Sequence, residues 1–162
     1  MLKALGSRPE APLFAAVYLV QLVLDGLLTV LGLRRTLTLL VRLASAWRPQ
    51  LFVASRSPDD RISVLVRALD RAGHRYRWRG ACLRRSVALW WWLNANGTHA
   101  WICLGANLHG ESLIGHAWVE VGGRPVAELT EQVSSNILFT RYGWQGSAKV
   151  VYGSTPSEQI DE

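Results

Sequence analysis

The chain has only two cysteines, Cys82 and Cys103, no CxxC pair and no signal peptide with a cleavage site. So few thiols argue against a disulfide framework, and a reduced, cytoplasmic protein is the expectation. Internal repeats are absent. So is any Lys/Arg run interleaved with polar residues that would mark a nucleic-acid module, although the formal charge is +6. The cations are scattered, as Arg34/Arg35, Arg61/Arg67/Arg71, Arg75/Arg77/Arg79 and Arg84/Arg85. They read as a solvated basic surface or one that faces an acidic peptide. His99, His109 and Cys103 match no standard zinc spacing, so neither metal nor cofactor is expected.

Apolar residues are plentiful, at 49% of 162 residues, which supports one packed domain with an added helical arm. Eight tryptophans are present, and Trp78, Trp90, Trp91, Trp92 and Trp101 lie close together in the chain. They are expected to build the core around one helix; the alternative is a surface groove that grips a peptide.

Residues 11–33 form the longest apolar run, as long as a membrane span. Gln21, Asp25 and Thr29 recur every four residues and draw one narrow polar stripe on a helix. An Asp near the middle of a span costs about 3 kcal/mol, so a helix packed into protein on most sides is favoured over one resting on or crossing a membrane. Residues 35–46 read as a second helix, ended by Trp47–Arg48–Pro49. A third opens with Ser57 as N-cap and Pro58 in its first turn, buries Ile62, Leu65, Val66 and Leu69, and is expected to close at Gly73. After the basic aromatic loop 74–79, a helix runs from Cys82 to about Ala95, apolar nearly all round, with Gly97 just past its end. The period then becomes two. Strands are expected at 99–106, 113–121 and 124–129, the last two joined at Gly122–Gly123.

Cys82 stands two residues after Gly80, at a helix start with cations nearby. A free thiol ionises near pH 8.5 or so, and a helix N-terminus lowers that value. The unpaired N–H groups there also offer donors to an oxyanion. His116, on a strand, is the candidate base that takes and returns the proton. Cys103, mid-strand, reads as an ordinary buried thiol. For an orienting carboxylate, Glu120 lies too far along the strand from His116, roughly 13 Å at about 3.3 Å per residue. Glu128 on the returning strand is the better candidate, but a two-residue turn would pair Ala117 with Glu128 and point it to the wrong face. A longer loop or one bulge, pairing Val121 with Pro125 and Trp118 with Glu128, is therefore expected. Trp78, Arg79 and Trp118 are the candidate substrate-binding residues.

The run CLRRSVALWWWL followed by GHAWVEVGGRPVAE resembles the B2 leader peptidases of lasso-peptide biosynthesis, within the transglutaminase-like cysteine-protease superfamily. The resemblance covers about residues 58–130. It implies an α+β, papain/transglutaminase-like fold, in which a Cys-bearing helix packs on a small antiparallel sheet behind an N-terminal helical arm. The expected division is an arm at 1–50, a core at 51–150 and a polar tail at 151–162. Cys82 matches the family nucleophile and His116 its base; Glu128 stands where the family commonly has Asp. The implied activity is removal of the leader from a ribosomally made precursor peptide. The implied partners are that precursor, a separate leader-recognition protein, as in the split form of these enzymes, and the lasso cyclase. Two alternatives are a transamidase that uses the same site and a non-catalytic, membrane-associated peptide-binding module.

Overall fold

The switch of apolar period at Gly97 is where the chain passes from helices to sheet. A computed structural model describes residues 10–46, 58–75, 81–128, 130–144 and 148–150. Among the described residues three helices come first: α1 (Glu10–Ala46), α2 (Pro58–Arg75) and α3 (Ala81–Ala95). Strands β1 (Ala100–His109), β2 (Ser112–Val121) and β3 (Arg124–Val126) follow. A short helix α4 (Thr130–Ser134) then leads to β4 (Ile137–Tyr142) and β5 (Ala148–Val150). The five strands form one antiparallel sheet in the order β3-β2-β1-β4-β5. This is the expected α+β architecture, with a Cys-bearing helix on a small sheet behind an N-terminal helix.

α3 is central because it is apolar nearly all round. The unbroken run Ser86–Ala95 is buried, with Trp90 at 0% exposure. Burying a large apolar side chain contributes about 2 kcal/mol or more, so this one helix supplies a large share of the core. The Trp91 indole donates to the Leu40 carbonyl and ties α3 to the end of α1. Helix α3 stops in a Schellman arrangement. Thr98 N–H reaches the Leu93 carbonyl, Gly97 N–H reaches the Asn94 carbonyl, and Gly97 takes φ +85°. The buried Asn94 side chain then pairs with both backbone groups of Ala100, which fixes the exit into β1.

The sheet has two different faces. Ala100, Ile102 and Val119 join the core shared by α1, α2 and α3. On the opposite face Cys103, Trp118, Val133 and Leu138 form a smaller cluster. At Gly105 the β1–β4 register slips, and a Cβ there would lie 2.5 Å from the Ile137 carbonyl oxygen. Only glycine admits that close approach.

Two expectations are corrected. α2 continues through Gly73 to Arg75, so that glycine does not end it. The first half of α1 is not packed on most sides: Leu19 is 61% exposed, Val23 54% and Val30 79%. Two members of the polar stripe turn inward instead, while Thr29 stays exposed. The Gln21 amide donates to the Leu69 carbonyl and Asp25 pairs with Arg84. α1 is broken at Gly32 (φ +73°, ψ 170°), which separates the two helical segments read in the sequence. Leu24, Leu37 and Leu40 put both segments in one core with α2 and α3. The proposed N-cap Ser57 and the boundary at residue 50 lie outside the described residues, as does the polar tail.

Candidate active site

Cys82 is the second residue of α3, within the first turn whose N–H groups lack helical partners. Its half-buried sulfur faces His116 on β2, and the backbone amides of Leu83 and Ala117 also stabilise it. β3 pairs only with Val119–Val121, so the β2 edge at His116 and Ala117 is open to α3. In an antiparallel strand the N–H and C=O of one residue point to the same side. Ala117 uses both on α3: the N–H turns to Cys82 and the carbonyl accepts from the Ser86 hydroxyl at 2.9 Å. Ser86, one turn beyond Cys82, thus locks the helix to the strand that carries the imidazole.

Glu128 reaches His116 by an unexpected route. The turn at Gly122–Gly123 has two residues, with φ +57° and +74°, and Val121 pairs with Arg124. Both positive angles fit a type I′ turn, which glycine accepts without strain, so the longer loop expected from the sequence is wrong. A regular continuation would send Glu128 to the face away from His116. The strand stops at Val126 instead, and Ala127 adopts φ +68°. This left-handed residue swings the chain, and Glu128 Oε2 lies 2.6 Å from His116 Nε2. Arg85 holds the bend. Its Nη2 donates to the Ala127 carbonyl and to Glu128 Oε1, each at 3.2 Å, while Nη1 pairs with Asp70 of α2 at 3.3 Å. An Ala in the left-handed region costs about 1–2 kcal/mol, and charge-assisted bonds of this kind are of the size that offsets it.

Because Glu128 occupies Nε2, Nδ1 is the ring nitrogen left for the thiol. The pair is polarised. Its bond to His116 is the largest factor lowering the Cys82 pKa, with burial opposing. The contact with Cys82, followed by that with Glu128, pushes the His116 pKa up to about 9. Each partner favours the other's charged form, the condition for a thiolate–imidazolium pair near neutrality.

The other candidates fall elsewhere. Trp118, expected to touch substrate, is fully buried (0% exposed), and its indole donates to Glu120 at 2.7 Å. It stacks beside the His116 ring, with centroids 6.0 Å apart, and so supports the imidazole from within. Trp78 and Arg79 lie outside the described residues. Cys103 is buried, and burial followed by the Glu120 charge pushes its thiol pKa well up, so it stays protonated. Sequence reasoning placed Arg85 only as a cation near Cys82, and it missed Ser86 and Asp70. Arg85 and Ser86 stand three and four residues after Cys82 on one helix face, a spacing that flags both. A cleft of about 440 Å³ opens beside the ring and Glu128, walled by Asn107, Ile114, Gln132 and Asn136; Cys82 does not line it.

A thiol of lowered pKa at a helix start, an imidazole on the adjoining strand and a carboxylate behind it form a constellation suited to acyl transfer. The model of the transglutaminase-like superfamily matches residues 27–139, more than two thirds of the chain, and the protein belongs to that superfamily. No curated protein and no solved structure matches the chain. Superfamily membership fits cysteine acyl-transfer enzymes of the peptidase and transglutaminase kind.

Proposed function

We propose that this protein is a cysteine endopeptidase that removes the leader from a ribosomally made lasso precursor, with a separate recognition protein presenting that leader. The observation that carries the reading is the Cys82–His116–Glu128 relay, together with the lowered thiol and raised imidazole pKa values. The Cys82 thiolate attacks the scissile carbonyl, and the amide π electrons move onto oxygen. Backbone N–H groups at the α3 start stabilise that oxyanion, an effect of roughly 3 kcal/mol per donor. His116 gives its proton to the leaving amine as the C–N bond breaks, which leaves a thioester on Cys82. The neutral ring then takes a proton from water. The hydroxide adds to the thioester, the thiolate departs, and a carboxylate product is released. Glu128 keeps Nε2 occupied, so that Nδ1 works on the sulfur side. The released core peptide passes to the lasso cyclase, and the setting is the cytoplasm.

The sequence from Cys82 to Glu128 supports this substrate through its likeness to the lasso leader peptidases. The test is incubation with a candidate precursor, with and without its recognition protein, read by mass spectrometry. Two fragments whose masses sum to the precursor plus one water are expected, and Cys82→Ala should yield none. A product linked to an added amine without that water identifies a transamidase instead. Undiminished cleavage by pure Cys82→Ala refutes the reading.

A further inference from the structure

The first segment of α1 is inside out for a helix packed on a water-soluble domain. Two of its polar side chains face protein: Gln21 donates to the Leu69 carbonyl and Asp25 pairs with Arg84, while Thr29 is exposed. Its outward arc is apolar, with Leu19, Leu22, Val23 and Val30 all exposed. At about 100° per residue these four share one side of the helix, opposite Val17 and Leu24. By length and composition the helix from Ala15 to Ala44 could cross a membrane. Its anchors argue against crossing, because a spanning pose would tear Gln21 and Asp25 from α2 and α3 and strand them in hydrocarbon. They do allow the helix to lie flat with the apolar arc facing lipid.

We infer that this arc docks the protein on an anionic membrane surface. Charge selects the occupant. Arg34 and Arg35 are exposed directly after the apolar arc, and the chain carries +6 overall. A second copy would bring another +6 chain and its own arginine pair to the patch. An anionic bilayer brings the complementary sign, and each cation near such a surface strengthens binding. The docked face is formed by α1, and the thiol, imidazole and carboxylate are not part of it.

The test is flotation of the full chain with vesicles of phosphatidylglycerol and phosphatidylcholine, and with phosphatidylcholine alone. The wild type should float with the anionic vesicles and much less with the neutral ones. Leu19→Glu/Val30→Glu, at exposed positions, should keep its circular dichroism and bind the anionic vesicles at least roughly tenfold more weakly. Arg34→Gln/Arg35→Gln should lose most of the preference for anionic lipid. No flotation of the wild type overturns the inference, and so does equal flotation of the double-Glu variant. Self-association of the wild type without vesicle binding, abolished in the double-Glu variant, overturns it in favour of a second copy.

Discussion

The charge state of His116 is the most exacting quantity the site offers for measurement. Its pKa stands at about 9 against an ordinary 6.5, raised first by the contact with Cys82 and then by Glu128. At about 1.4 kcal/mol per pH unit this is about 3 kcal/mol of preference for the charged ring. The side chain is 29% exposed, so screening trims that figure towards about 2 kcal/mol. The assay is NMR titration of the ring Cε1–H in the wild type, Cys82→Ala and Glu128→Gln. Both variants should titrate closer to 6.5, with the larger drop in Cys82→Ala because it removes the principal cause. The linked stability has a definite sign. A folded pKa above the unfolded one stabilises fully below pH 6.5, and that contribution disappears as pH rises through about 9. Cys82 behaves oppositely: its lowered pKa stabilises above its ordinary value of 9.0 and loses effect as pH falls through the folded value. Urea midpoints of Cys82→Ala, free of that second contribution, should therefore fall as pH rises from 6.5 through the variant's own ring midpoint. A wild-type ring that titrates near 6.5, or a Cys82→Ala ring that titrates with the wild type, refutes the coupling.

Arg85→Lys keeps a positive charge but loses the fork that grips the Ala127 carbonyl and Glu128 together, and should lower kcat on a precursor peptide more than it raises KM. Leu24→Ala, at 1% exposure, should cost about 2–5 kcal/mol in chemical unfolding, whereas Val30→Ala, at 79%, should stay within about 0.5 kcal/mol. Equal losses would mean that α1 packs the other way round. Gly105→Ala forces a Cβ against the Ile137 carbonyl and the Trp118 ring, and should lower the thermal midpoint by several degrees. An unchanged midpoint would show that β1 and β4 are not so closely apposed.

Cys82 and His116 were readable because each signal is local: a thiol at the start of an apolar helix, and an imidazole in a stretch of period two. Glu128 was readable as a residue but not as a path. The double glycine fixes a tight turn, and the correction to the chain direction comes one residue earlier than the carboxylate, at Ala127. Nothing in an alanine announces a left-handed backbone; the arginine that stabilises it comes from a helix 42 residues away in sequence. The polar stripe of α1 was equally visible, but periodicity does not say which side faces water. Arg84 and the Leu69 carbonyl satisfy Asp25 and Gln21 of the stripe from inside, and the apolar side is left outward. α4 spans only Thr130–Ser134, too few residues for a helical period to register.

The contrast between the two thiols has a practical consequence. Cys103 sits at 0% exposure and is held in its neutral form, so electrophiles meet one competent sulfur per molecule. A single equivalent of a thiol-specific probe should thus count accessible Cys82 thiols directly, without first stripping the other cysteine from the chain.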